Sequence, residues 1–140
     1  MSRVISENIT VDRSPEAVWA IAGDPGAIGD WLPALTESSY SEGERVCLTG
    51  DGAEIRERIV EHSDAERSYT YEIVNSPLPL KSYRSTLVVH GHGDHSHVTW
   101  EAQFEALEEG QEPELEAMFS GLYREGLASL RDRVEGVAGA

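Results

Sequence analysis

Residues 113–135 read PELEAMFSGLYREGLASLRDRVE, and the spacing of their apolar side chains decides the fold. Leu115, Met118, Phe119, Leu122, Tyr123, Leu127, Leu130 and Val134 recur at helical intervals, which predicts one long helix with an apolar stripe. Pro113 suits its first position, and the pattern runs to about Glu135. At 1.5 Å per residue such a helix is roughly 35 Å long, enough to cross a whole small domain. Its stripe needs an apolar surface of matching extent. The tail beyond it, 136–140, is expected to fray.

The preceding segment supplies that surface. Strands are predicted near 36–41, 44–49, 53–62, 67–75, 82–91 and 96–106. Between them lie turn signals at Glu42-Gly43, Gly50-Asp51-Gly52, Ser63-Asp64-Ala65, Ser76-Pro77-Leu78-Pro79 and Gly93-Asp94. Such regular spacing indicates an antiparallel meander. A further strand spans Val4 to Val11, where Ile5, Ile9 and Val11 alternate with polar residues. Ser14 as N-cap and Pro15 then open a short helix that Gly23-Asp24-Pro25-Gly26 stops, and a second short helix is predicted over Ala27 to Trp31. The expected architecture is α+β: a seven-stranded curved antiparallel sheet around the long carboxy-terminal helix, with two short helices after the first strand. A sheet curved around one helix commonly leaves a hollow between them. With 140 residues, a single domain covers 1–140.

A formal charge of −15 argues against nucleic acid and anionic membrane surfaces as partners. The amino terminus has no apolar core of a signal peptide, and no apolar run reaches the roughly 20 residues of a membrane span. Cys47 is the one cysteine, so no intrachain disulfide forms, which suits the reducing cytoplasm. A monomer or weak homodimer that does not insert in membranes is expected.

Several short motifs, taken in order, resemble a known family. They are Ser14-Pro15-Glu16-Ala17-Val18-Trp19, Gly23-Asp24, Asp30-Trp31-Leu32-Pro33 and Ile55-Arg56-Glu57-Arg58. They continue with Ser76-Pro77-Leu78-Pro79 and Val98-Thr99-Trp100, and end with Phe119 followed by Gly126-Leu127 in the last helix. Together they resemble the START-like, birch-pollen-allergen-like superfamily (SRPBCC), and more closely its bacterial polyketide cyclase/dehydrase-type members. The resemblance implies a helix-grip fold over nearly the whole chain. It implies little about reaction, because the superfamily includes lipid carriers, hormone receptors and cyclases.

The stretch from His90 to His97, HGHGDHSH, invites a metal reading. A two-residue turn at Gly93-Asp94 pairs His92 with His95, His90 with His97, Leu87 with Trp100, Ser85 with Ala102 and Tyr83 with Phe104. The pairs from Leu87 to Phe104 are mostly apolar and face inward, so His90, His92, His95 and His97 all face outward near a hairpin tip. Opposed imidazoles there have adventitious affinity for Zn, Ni or Cu, without a second shell to orient them. The expectation is a solvated hairpin, no purposeful metal site and no cofactor.

Extending the same alternation gives the inner face. It takes Ile5, Glu7 and Ile9 from the first strand and Ile55, Glu57 and Ile59 from the fourth. Tyr69, Tyr71, Ile73, Tyr83, Ser85, Leu87, Val98, Trp100 and Phe104 follow, and the helix adds Met118, Phe119, Leu122, Tyr123, Gly126 and Leu130. Trp31 and Pro33 are expected at an entrance. Packing is the default role of such residues. As a set, though, they combine apolar walls with scattered phenols, as ligand pockets do.

Glu57 is the sharpest candidate, since a buried carboxylate without a partner is costly. An odd-numbered turn at Ser63-Asp64-Ala65 would set it opposite Tyr71. It is then either a structural group bonded to tyrosines or an arginine, or a cavity carboxylate that binds or deprotonates a ligand. Glu7 is a weaker parallel. Cys47 has no nearby histidine in sequence and reads as a structural thiol. The leading expectation is a binding protein for a small, largely hydrophobic molecule: a lipid, a polyketide or another aromatic or isoprenoid-like metabolite. One alternative is a cyclase- or dehydratase-like enzyme in which Glu57, with Tyr71 or Tyr83, transfers protons. The other is a chaperone-like interaction domain with a filled interior and no ligand.

Overall fold

The computed structural model describes residues 2–139, with side chains described for 2–136. Strand β1 (Ser2–Val11) leads to helix α1 (Pro15–Ala22) and a 3-10 helix (Pro25–Asp30). The meander follows as β2 (Leu35–Ser41), β3 (Glu44–Thr49), β4 (Glu54–Ser63), β5 (Ser68–Asn75), β6 (Leu80–His92) and β7 (His95–Ala106), before α2 (Glu112–Gly139). Each expected strand lies within two residues of the observed one. The backbone of α2 stays helical through Gly139; the side chains of the expected frayed tail beyond Gly136 and the whole of Ala140 lie outside the described residues.

Local chemistry sets the element ends. Ser14 Oγ accepts from Ala17 N at 3.3 Å and caps α1, and Gly23 N–H closes the helix on Trp19 O at 2.8 Å. The second short helix is a 3-10 segment. It is anchored at its middle, where Gly29 N–H donates to Ser38 Oγ at 2.8 Å, and a Cβ on Gly29 would lie 2.8 Å from that oxygen. The close approach ties the 3-10 helix onto β2.

All seven strands form one antiparallel sheet in the order β1-β7-β6-β5-β4-β3-β2. The β6–β7 register pairs Tyr83 with Phe104, Leu87 with Trp100, His90 with His97 and His92 with His95, as the two-residue turn requires. Between β4 and β5 the register departs from expectation. Four residues, Asp64 to Arg67, separate the paired Ser63 and Ser68, and a bulge between Ile59 and Glu61 adds one more residue to β4. Ile59 therefore faces Tyr71, and Glu57 faces Ile73, not Tyr71.

Leu115, Phe119, Tyr123, Leu127, Leu130 and Val134 form the buried stripe of α2, three or four residues apart. This stripe packs over β1 and β7, one end of the sheet. At about 1.5–3 kcal/mol for each fully buried large apolar side chain, it is the main tie between helix and sheet. Because α2 rests over that end, its neighbouring flank overhangs β3, β4 and β5 without filling the space beneath. Among the described residues no helix is long and apolar enough to cross a membrane.

Candidate ligand-binding cavity

The unfilled space is a cavity of about 520 Å³. Cys47 and Thr49 of β3, Ile55 and Glu57 of β4, Tyr71 and Ile73 of β5, Tyr83 of β6 and Trp100 of β7 form its floor. Ala117, Met118, Phe119, Gly121, Leu122, Tyr123 and Glu125 of α2 form its roof, and Ile28, Leu32, Ala34, Leu35 and Leu78 its ends. Met118 is 42 % exposed, which puts it at the mouth. Most of the wall is carbon, and the polar groups are few.

Apart from Thr49 and Glu125, the polar groups of the wall and the residues bonded to them fall into two sets. The first is a chain of hydroxyls. Ser85 Oγ donates to the Glu101 carbonyl at 3.0 Å and lies 2.9 Å from the Tyr123 hydroxyl, which is hydrogen-bonded in turn to the Tyr83 hydroxyl. Tyr71 OH accepts from Trp100 Nε1 at 3.3 Å, and the Trp100 and Tyr123 rings stack with centroids 4.0 Å apart and planes 2° from parallel. Burial, before any neighbouring charge, pushes the Tyr83 and Tyr123 phenols well above the ordinary 10.0. Burial and then the Glu57 charge push Tyr71 up to about 12. All three are neutral donors or acceptors at physiological pH.

The second set is a buried ion pair. Arg45, 0 % exposed, faces Glu57 across the β3–β4 ladder and donates from Nε to Glu57 Oε1 at 2.6 Å. Its Nη1 donates to the Pro25 carbonyl at 3.1 Å and to Tyr69 OH at 3.0 Å. Its guanidinium carbon stands 4.5 Å from the centroid of the Tyr71 ring, a cation–π contact. Burial acts to lower the Arg45 pKa, but the neighbouring Tyr69, Glu57 and Tyr71 side chains raise it on balance, so the guanidinium stays charged. Glu57, 7 % exposed, also accepts the Cys47 thiol at 3.6 Å. Burial and then the Glu57 charge push that thiol up to about 12, which makes it a poor nucleophile.

Of the residues expected at a site, Ile55, Glu57, Tyr71, Ile73, Tyr83, Trp100, Met118, Phe119, Leu122 and Tyr123 reach the cavity wall. The others do not. Trp31 is buried behind the wall against Trp100, with ring centroids 5.7 Å apart, and Pro33 is exposed and does not line the cavity, although its neighbours Leu32 and Ala34 do. Gly126 lets α2 approach that layer, since a Cβ there would lie 2.6 Å from Leu32 Cδ1 and 3.0 Å from Trp100 Cζ3. Ser85, Leu87, Phe104, Ile59 and Tyr69 are packed beside or beneath the wall residues. Glu7 lies at the far end of the sheet, where its carboxylate is 3.7 Å from Arg124 Nε of α2.

Arg45 escaped the sequence reading. Its signal was present: a hairpin centred on Asp51 pairs position 45 with position 57, opposite charges on one face. The histidines are outside all of this. His90, His92 and His95 are exposed at the hairpin tip, and His95 Nδ1 is 2.7 Å from Asp94. The His90 and His97 rings are 6.4 Å apart, and among the described residues no three His, Cys, Asp or Glu side chains converge on a metal position.

Comparison with known proteins agrees with this architecture. The structure of the protein XoxI from Bacillus cereus matches with a TM-score of 0.89 and 32 % identity, over 96 % of this chain and 97 % of that one. The Zhui aromatase/cyclase from Streptomyces sp. R1128 matches with a TM-score of 0.81 and 14 % identity, over 96 % and 94 %. A START superfamily protein from Mycobacterium smegmatis gives a TM-score of 0.81 and 14 % identity, over 96 % and 98 %. At that identity the last two show a shared fold. No curated protein matches the chain at a significant level. Residues 2–135 match the family described as polyketide cyclase / dehydrase and lipid transport. The chain belongs to that family, and its curved seven-stranded sheet closed on α2 is the helix-grip fold that it shares with the START superfamily protein.

Proposed function

We propose that this protein binds a small, largely hydrophobic molecule in the cavity between the sheet and α2. Lipids, polyketides and other aromatic or isoprenoid-like metabolites are the candidate classes. One observation carries the reading: an aromatic-walled cavity of about 520 Å³, within the range of roughly 300–1,000 Å³ typical of small-ligand sites. Its polar atoms are held in place by other residues, which limits the ordering cost of binding. The proposal includes a cytoplasmic setting, which the single cysteine supports, and a monomer or weak homodimer. Titration with aromatic polyketides, sterols and fatty acids, followed by amide NMR shifts, tests it. Shifts are expected at Ile55, Tyr71, Tyr83 and Leu122. A panel in which no compound moves these residues refutes it.

The second reading is an enzyme, and the position of Glu57 beside Tyr71 on one wall favours it. Against it, the phenols and the thiol are all pushed far from neutrality, away from the range a general acid or base needs. A Glu57→Gln variant that keeps full turnover on a cyclising polyketide substrate excludes the role assigned to that carboxylate. The interaction-domain reading expected a filled interior, and the cavity weighs against it.

A further inference from the structure

Counting protons in the hydroxyl chain shows what kind of molecule the cavity selects. Ser85 has one proton, and the Glu101 carbonyl, which can only accept, takes it. Ser85 Oγ therefore accepts from Tyr123, 2.9 Å away, and that commits the single proton of Tyr123. Tyr123 then accepts from Tyr83, which commits the proton of Tyr83. Tyr71 heads the chain: its hydroxyl neighbours those of Ser85, Tyr83 and Tyr123, whose own protons are committed, so its proton closes on one of these oxygens until a ligand acceptor draws it off. Its lone pair already receives Trp100 Nε1, which orients the hydroxyl. Tyr83 and Tyr123, in contrast, have no proton left for a ligand.

The ion pair yields a complementary count. Glu57 Oε1 receives both Arg45 Nε and the Cys47 thiol. Oε2 makes no hydrogen bond among the described residues, yet it is not one of the fully enclosed orphan atoms, which are Trp31 Nε1 and Arg45 Nη2. It is therefore open to space, and the space beside Glu57 is the cavity. Arg45 neutralises the carboxylate, so this acceptor belongs to a site of no net charge. An anionic ligand would meet the open Glu57 oxygen, and a cationic one would add a charge that no further buried group of this apolar wall balances, since Arg45 already balances Glu57.

We propose that the cavity selects a flat, neutral molecule whose hydroxyl donates to Glu57 Oε2 and whose carbonyl accepts from the Tyr71 hydroxyl. The flatness follows from the walls, where Tyr71, Tyr83, Trp100, Phe119 and Tyr123 present ring faces and edges. The inference rests on the binding function proposed above and assigns its polarity: Tyr71 is the donor and Glu57 the acceptor.

Three fluorescent probes test it on the intact protein. They are 6-acetyl-2-naphthol, its methyl ether 2-acetyl-6-methoxynaphthalene, and 6-ethyl-2-naphthol, which lacks the carbonyl. The hydroxy-ketone is expected to bind wild type roughly tenfold more tightly than the ethyl compound. It should also bind about ten- to a hundredfold more tightly than the ether, because the hydroxyl meets a carboxylate. Tyr71→Phe should abolish the ketone preference and keep the hydroxyl preference. If Tyr71→Phe does not fold, as judged by near-ultraviolet circular dichroism, the wild-type ratios decide the matter alone. Probes that bind with equal affinity overturn this polarity and leave cavity binding standing. A protein that binds none of the three overturns cavity binding and this inference with it. A Tyr71→Phe variant that still prefers the ketone refutes the assigned donor.

Discussion

Two clusters of titratable rings meet at the β6–β7 hairpin, one at its outer tip and one gathered against its inner face. The tip holds His90, His92, His95 and His97, four rings within eight residues of chain. The inner cluster gathers Tyr71, Tyr83 and Tyr123, which are separated by up to 52 positions (123 − 71) and come from two strands and a helix. The dense cluster meets water and neighbouring polar side chains. The dispersed one has a stacked tryptophan, a serine relay ending on a backbone carbonyl, and an adjacent ion pair. Chemical capability follows the support around each group, and crowding in sequence is a poor guide to it.

Perturbing both regions should make that contrast quantitative. Arg45→Met leaves the Glu57 carboxylate buried without its partner and is expected to cost about 3–5 kcal/mol, read from urea unfolding. Adding Glu57→Leu should recover most of the loss, because the penalty is an uncompensated charge. A double variant as unstable as the single one would mean that the pair itself holds the sheet together.

Alkaline pH should have the next largest effect. Cys47 and Tyr71 have ordinary values of 9.0 and 10.0, both raised to about 12 in the fold. The native state thus holds more protons than the unfolded chain across that interval. Stability is complete below pH 9 and falls as pH rises towards 12, by a few kcal/mol in total. Thermal midpoints measured from pH 8 to 12 should fall steeply, and a flat profile would show these groups to be open to water. Tyr123→Phe breaks the middle of the hydroxyl chain and should cost about 1–3 kcal/mol. The smallest effect belongs to the tip: His90→Ala with His97→Ala should stay within about 0.5 kcal/mol of wild type and leave probe binding unchanged. A large loss there would break the contrast.

The legibility of the sequence divides along the same lines. The β6–β7 register was readable because a two-residue turn admits few geometries, and it put the histidines outside and Tyr83, Leu87 and Trp100 inside. The β4–β5 register was not, because the turn takes the four residues Asp64 to Arg67, none of them glycine, and the bulge between Ile59 and Glu61 has no glycine or proline to announce it. The Arg45–Glu57 pair was readable from hairpin counting on β3 and β4. The burial of Trp31 was not, since it depends on how closely α2 approaches at Gly126. The size of the cavity depends on where along the sheet a helix comes to rest, a property of no single residue.

Cys47 has one further consequence. It is the sole sulfhydryl of the chain, it lines the chamber, and in the closed molecule it holds its proton far above neutral pH. Its rate of alkylation by iodoacetamide should therefore report how often the chamber opens. An occupant seated there would slow that rate, so one chemical clock would register both breathing and occupancy in the unmodified protein.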